Sequence, residues 1–517
     1  MALGKRKREQ QELLVATTSL PQSPGHPFYE KLNRLLAEAE FDDYVEGLCR
    51  PYYADGVGRP GIPPGVYFRM LLVGYFEGLD SQRAIAWRCS DSRSLQRFLG
   101  YSITDPTPEH SSLTVIRQRF PLVVHEQVFA KVLQIAQDKK LLRGRTAAVD
   151  STLIEAEAAM KSIVRRDNGD DWKEYVKKLA AEEGIENPTD EELRKFDQKR
   201  KGKKVSNDEW HNPHDPDAKI AKMKDGRTHL AYKTEHAVDL ESDLVLAAPV
   251  YHADESDTQT LVQTLAMAQA NLMLAGSDEE IRDAVADKGY HSNETVTWCQ
   301  SLGIRTYIPE RQSRHGRRWT DKPPEEKAAV YGNRRRVRGK RGKALGRLRS
   351  EYTERSFAHT CETGGARRSR LRGLLNVAKR YLMYVAGRNL GVIMRAVFGI
   401  GTPKSLQMEG EAFPCAVFAW SAVVRTGLRR LYGILVIYLT HGPDRVASTP
   451  VTRAAWEHPF FNGLLESQHG IGCLTRCPDS RGCPSSAECV RRVTHTHNRN
   501  TTTLSVRCII LVQSESD

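Results

Sequence analysis

The hydrophobic pattern of the chain changes period as it runs from one end to the other. From Phe28 to about Phe120 the spacing is helical, with Leu32, Leu35, Leu36 and Phe41 on one stripe. Val66–Phe76 is an apolar run introduced by Arg59-Pro60-Gly61-Ile62-Pro63-Pro64, and Leu79–Arg88 reads as a helix capped by Asp80 or Ser81. Ser94–Gly100 and Ser111–Phe120 give two further short helices. At residue 146 the period is lost. Thr146-Ala147-Ala148-Val149 runs straight into Asp150, Ser151 and Thr152, a continuous small or apolar stretch that predicts a buried strand ending on a carboxylate.

A charged region from about Glu155 to Asp217 follows, with Lys199-Arg200-Lys201-Gly202-Lys203-Lys204 inside it. It lacks a sustained apolar stripe and predicts a helical or partly disordered insertion rather than core. Thr228–Val238 and Leu244–Val250, joined by Asp239-Leu240-Glu241-Ser242-Asp243, predict an antiparallel hairpin. Asp257-Thr258 caps an apolar-periodic helix through Leu272. Ile281–Ala286 is a second buried strand that ends on a carboxylate, Asp287. After Lys288-Gly289-Tyr290 come a short helix over Asn293–Leu302 and a strand at Thr306–Pro309. Strand, hairpin, helix, strand, helix, strand, helix is the order of an α/β domain built on a mixed sheet with helices packed against it.

Charge sharpens this picture. Among 517 residues, 77 Lys and Arg face 64 Asp and Glu, a formal net charge of +13, with a pI near 9.2. Such an excess points to a polyanionic partner, nucleic acid before membrane. Arg and Gln on the polar faces of the short N-terminal helices, Arg83 and Arg88 among them, suit a DNA-contacting bundle; an ordinary helical domain with solvated charges fits those residues equally well. The cysteines before residue 415 are scattered, as reduced thiols would be. No long apolar region follows the basic N-terminus, and neither Phe413–Val424 nor Leu431–Leu439 approaches the ~20 residues of a membrane span. The expectation is a soluble protein.

A lone strand-end Asp is more often a helix cap than a ligand, but here two strands each end on one. If they are sheet neighbours, Asp150 and Asp287 project from one edge, where like charges repel unless a cation lies between them. Hard oxygen donors of this kind suit Mg²⁺ or Mn²⁺. A third carboxylate is sought in the helix from about Leu345 into Cys361, among Glu351, Glu354 and Glu362. Glu354 is preferred, because Phe357, Ala358 and Cys361 at i+3, i+4 and i+7 predict that it points toward the sheet. Basic runs flank this helix: Arg334–Lys343 and Arg367-Arg368-Ser369-Arg370-Leu371-Arg372. Cations beside a carboxylate site fit a phosphodiester substrate.

Val149-Asp150-Ser151-Thr152, Ala286-Asp287-Lys288-Gly289-Tyr290 and Glu354-Arg355-Ser356-Phe357-Ala358 resemble the three acidic motifs of bacterial insertion-sequence DDE transposases. Arg59-Pro60 with its following helices, and Asp215-Pro216-Asp217-Ala218 leading into His229–Lys233, resemble the same family, so the resemblance spans roughly residues 28–406. It implies an RNase H-like catalytic domain and strand transfer assisted by two Mg²⁺ or Mn²⁺ ions, with Asp150, Asp287 and Glu354 as metal ligands. It further implies that Arg349 and Arg355 meet DNA phosphates and that Lys288 and Tyr290 lie beside the cleaved end. Many members carry a Lys about two turns after the Glu. Position 361 is Cys here, and Arg367 and Arg368 are the expected substitutes.

The expected organisation is a basic N-terminus over 1–25, a helical DNA-binding domain over 26–140, and a catalytic domain over 141–406 carrying the insertion at 155–217. Beyond 407 an irregular tail shows neither clean periodicity nor resemblance. Its Cys473, Cys477, Cys483 and Cys489 match no zinc spacing, and limited proteolysis is expected to trim it without loss of the core. The expected partners are double-stranded DNA, at element ends and target, and a second copy when bound to DNA, in a bacterial cytoplasm at the nucleoid. Two alternatives stand beside the transposase: an element-derived DNA-binding protein that has lost catalysis, and an RNase H-like nuclease without strand transfer.

Overall fold

The computed structural model describes residues 25–408, apart from 55–60, 186, 201–205, 224–225, 312–318 and 321. The basic N-terminus, Arg59-Pro60 and the tail with its cysteines lie outside the described residues. The first part is helical: α1 (Pro27–Glu38), α2 (Phe41–Cys49), α3 (Pro64–Glu77), α4 (Gln82–Asp91), α5 (Arg93–Phe98), α6 (His110–Arg119) and α7 (Leu122–Asp138). The stripe seen in the sequence is the buried one, since Phe28, Leu32, Leu35 and Leu36 of α1 and Phe41 of α2 are all removed from solvent. The cap of α4 is Ser81, whose hydroxyl accepts the Ala84 N–H at 3.1 Å.

The α/β part contains β1 (Thr146–Glu155), β2 (Val164–Arg165), α8 (Trp172–Glu182), α9 (Asp190–Lys199), β3 (Trp210–His211), β4 (Lys219–Lys222), β5 (Thr228–Asp239), β6 (Val245–Ala247) and β7 (Val250–His252). It continues with α10 (Asp257–Leu274), β8 (Asp283–Ala286), α11 (Asn293–Ser301), β9 (Arg305–Tyr307), α12 (Pro324–Arg338), α13 (Lys340–Phe357) and α14 (Leu374–Phe398). The strand order is β4-β5-β1-β8-β9, with β6 and β7 also paired to β5. The expected hairpin is present: β5 pairs antiparallel with β1, β6 and β7, and Asp243 takes a left-handed φ of 64° in its turn. β8 runs parallel to both β1 and β9. A central strand with an antiparallel hairpin on one side and two parallel strands on the other, covered by helices, is the RNase H-like arrangement.

Residue alternation along β5 sets the two faces of the sheet. Lys233 and Glu235 meet Thr260 of α10 on one side. His236 meets Ser356 of α13 and Tyr381 of α14 on the other. The region after β1 is more ordered than its charge suggests: α8 and α9 close on a small cluster of Val176, Ala180 and Leu193, with Trp172, Tyr175 and Phe196 against it. The helical and α/β parts share one hydrophobic core. Gly387 of α14 makes this possible, because a Cβ there would stand 2.6 Å from the Tyr75 ring of α3.

Candidate active site

The central relationship is the register of β1 on β8. Val149 pairs with Ala286 in parallel, so Asp150 and Asp287 stand side by side where β8 ends; β1 does not end on Asp150 as expected but continues to Glu155, because its polar second half still pairs with β5. Asp287 opens the short turn Lys288–Tyr290, and its Oδ1 accepts the Gly289 N–H at 2.6 Å. Asp150 is half-buried. Its Oδ1 accepts from the Ser151 N–H at 2.9 Å, and its Oδ2 accepts from Arg349 Nη1 at 2.7 Å and Thr353 Oγ1 at 3.1 Å. Burial pushes the Asp150 carboxyl above the usual aspartate range and the charge of Asp287 adds to the rise, while Arg349, the Ser151 N–H and Thr353 pull the other way.

The helix α13 lies across these strand ends, but it is rotated differently from the expectation. Its buried line runs through Gly342, Thr353, Ser356, Phe357 and Thr360, whereas Glu354 is exposed, as is Ala358. The expectation that Glu354 points toward the sheet is thus corrected. The physical reason is where the buried stripe falls: Thr353, Ser356, Phe357 and Thr360 at i, i+3, i+4 and i+7 face inward and leave Glu354 outside the stripe, while Cys361 owes its burial to the π-helical turn over Ala358–Thr363 that follows α13. Glu351 and Glu362 are also exposed, and each is tied to an arginine, Arg355 and Arg367 respectively.

The predicted DNA contacts divide into groups. Lys288 is exposed beside Asp287, and with Arg349 it lines an open cleft of about 310 Å³ that also includes Asp287, Tyr307, Pro309 and Gly346. Arg367 reaches Thr152 of β1 at 3.4 Å, on the same strand face as Asp150, and Arg368 pairs with Glu155 and Glu157 at 3.7 and 3.4 Å. The segment 367–369 bonds to the end of β1 through Glu155, which brings both arginines to this edge. Arg83 is exposed on α4. Arg88 is held by Glu77 at 3.2 Å, and Arg355 by Asp243 at 3.2 Å as well as by Glu351. Tyr290, expected beside the cleaved end, is fully buried and donates to Glu235 at 3.2 Å.

Several site residues escaped the sequence reading. Thr353 on Asp150 is one. A second group lies on the α10 side, where Lys233 pairs with Glu235 at 2.9 Å and with Asp257 at 2.8 Å. The available signal was a lysine and a glutamate inside an otherwise buried strand, since charged side chains are almost never buried without partners. Asp257 is not the cap of α10; Ser256 caps that helix together with Gln259, which leaves the Asp257 carboxylate to face the site. Among the described residues no three His, Cys, Asp or Glu side chains converge closely enough to hold a metal ion. Asp150 and Asp287 fit such an ion as two hard oxygen donors at one edge, and a third donor would have to come from α13 or from solvent.

Two family models match the chain: one described as Transposase domain (DUF772) over residues 18–119, and one described as Transposase DDE domain over residues 143–390. No curated protein matches it. The RNase H-like sheet, the helical part before it and these matches define the class, a transposase. The chain belongs to the DDE transposases of insertion sequences. No helix among the described residues is long and apolar enough to cross a membrane.

Proposed function

We propose that the protein cleaves DNA at the ends of an insertion sequence and joins the freed end to target DNA, with Asp150, Asp287 and Glu354 as the acids that hold two Mg²⁺ or Mn²⁺ ions. The observation that carries this reading is the parallel pairing of Val149 with Ala286, which sets Asp150 and Asp287 side by side on neighbouring strands. When bound, the ions would supply an activated attacking oxygen and a stabilised leaving oxygen. The chain's own residues do the rest. Burial makes ionised Asp150 depend on a nearby cation, a role Arg349 can fill. Arg349, Lys288, Arg367 and Arg368 are proposed to neutralise the phosphates around the scissile bond. Glu354 is exposed on α13, the helix that also carries Arg349 and Thr353.

In the first step water attacks the phosphodiester at the element end and leaves a 3′-hydroxyl. In the second that hydroxyl attacks a target phosphodiester in line and displaces a 3′-oxygen, so no covalent intermediate with the protein is needed. Arg83 on the helical part is proposed to contact the duplex, and a second copy to pair on it, in the bacterial cytoplasm at the nucleoid. One observation favours a second reading, a protein that grips DNA without cutting it: among the described residues no third acid gathers with Asp150 and Asp287.

The test is an assay on duplex DNA bearing the element end, with and without Mg²⁺. Cutting and joining by the wild type, with each step reduced about 10³-fold or more in Asp150→Asn and Asp287→Asn, is expected if the site supplies several kcal/mol to the transition state. Binding without cutting would establish the second reading, and cutting without joining would make the protein a nuclease. An Asp150→Asn variant that still cut would overturn the assignment.

A further inference from the structure

The side of the sheet opposite α13 carries a charge network that the proposed reaction does not use. Lys233, on β5, is almost wholly buried and donates to the Glu255 carbonyl at 3.2 Å and to Thr260 at 2.9 Å, besides its ion pairs with Glu235 and Asp257. Glu235 is fully buried, and its two oxygens accept from Thr260, from Thr264 at 2.6 Å and from Tyr290. Every polar atom in this group is held, as burial requires. Asp257 differs from the rest, because its carboxylate is partly exposed and contacts the residue next to Asp150.

Asp257 lies against a near neighbour of each acid. Its Oδ1 accepts from Ser151 Oγ at 3.2 Å, directly beside Asp150. Its Oδ2 lies against Gly289: a Cβ on that glycine would stand 2.7 Å from Asp257 Oδ2 and 2.8 Å from Asp287 Oδ1. The absent side chain at 289 is what lets the two carboxylates approach from opposite sides. One ammonium, that of Lys233, serves two carboxylates here, Glu235 and Asp257, so the network keeps a net negative charge beneath the Asp150–Asp287 edge. Ligating carboxylates depend on partners of this kind to fix their orientation and raise their affinity for a cation.

We infer that Asp257, anchored by Lys233, is a positioning residue for the Asp150–Asp287 pair, acting through Ser151 beside Asp150 and Gly289 in the turn after Asp287. This rests on the proposed metal-binding role of those two acids. Asp257→Asn keeps an acceptor for Ser151 but removes the charge, Asp257→Ala removes both, and Ser151→Ala cuts one link only. The measurement is Mn²⁺ binding to the full chain by calorimetry and by electron paramagnetic resonance, alongside thermal melting and affinity for element-end DNA. Mn²⁺ affinity is expected to fall by about 10-fold or more in both Asp257 variants and by less in Ser151→Ala, with melting and DNA affinity close to wild type. Unchanged Mn²⁺ affinity in folded Asp257→Ala overturns the inference. A wild type whose Mn²⁺ binding is indifferent to Asp150→Asn and Asp287→Asn would instead overturn the proposed function on which it rests. If Asp257→Ala fails to fold, Asp257→Asn, which keeps the Ser151 acceptor, decides the matter.

Discussion

Arg349 Nη1 lies 2.7 Å from Asp150 Oδ2, bridging α13 and the central strand although the two residues are far apart in the chain. Both side chains are only partly exposed, so the pair is screened less than a surface ion pair but stays wet enough to avoid the full cost of burial. Arg349→Ala is expected to cost about 1–2 kcal/mol at neutral pH in metal-free buffer, and to cost much less in an Asp150→Asn background. A double-mutant cycle by urea unfolding measures this coupling; additive effects would mean that the pair does not form.

Two buried histidines set an acid limit on the fold. Ser356 Oγ donates to the Thr353 carbonyl at 2.8 Å, so His236 Nδ1 donates to Ser356 and Nε2 accepts from Tyr381. Burial, reinforced by Arg388, keeps His236 neutral well below the usual pH, and burial also pushes His125 down to about 3. A lowered histidine pKa means that below the ordinary value of 6.5 the unfolded chain takes up a proton that the folded chain refuses. Stability therefore falls as pH drops through that value, by about 1.4 kcal/mol per pH unit for each histidine. His236→Gln and His125→Gln should each shrink this slope by one proton in unfolding curves between neutral and mildly acid pH. Slopes identical to wild type would contradict the buried neutral assignment.

The docking of α14 on α3 should tolerate no added volume at Gly387. A methyl group there meets the Tyr75 ring, and both helices are buried over most of their length. Gly387→Ala gains helix propensity yet is expected to lose about 1–3 kcal/mol through overpacking. Thermal melting checks the sign; a stabilised variant would show that α3 and α14 are further apart.

Arg367 and Arg368 are held by Glu362, Glu155 and Glu157, so their role in DNA binding requires them to trade carboxylates for phosphates. The Arg367→Ala, Arg368→Ala double variant should bind DNA more weakly at all sequences and lower the steepness of the salt dependence by roughly one per lost phosphate contact. Binding isotherms over a range of salt concentrations test this. An unchanged slope would leave both arginines as ties for the end of β1 alone.

The strands were readable from residue order because apolar runs of strand length, broken by polar turns, admit few other structures. The hairpin of β5 and β6 and the fall of Asp287 at a strand end follow from that local pattern, whereas β1 runs on past Asp150 to Glu155 because its polar second half is held by pairing with β5. What linear order could not carry is which strands are neighbours, since the pairing of Val149 with Ala286 is a long-range contact. Nor could it give the rotation of α13: the stripe Thr353, Ser356, Phe357 and Thr360 faces inward and Glu354 faces solvent, and the π turn that follows puts Cys361 in the core without placing Glu354 on its line. Arg349 on Asp150, and Asp257 between Ser151 and Gly289, belong to the same class of fact. Periodicity reports which side of an element is buried. Only the packing of one element on another decides which charges meet there, because an ion pair depends on distance in space and leaves no period in the chain.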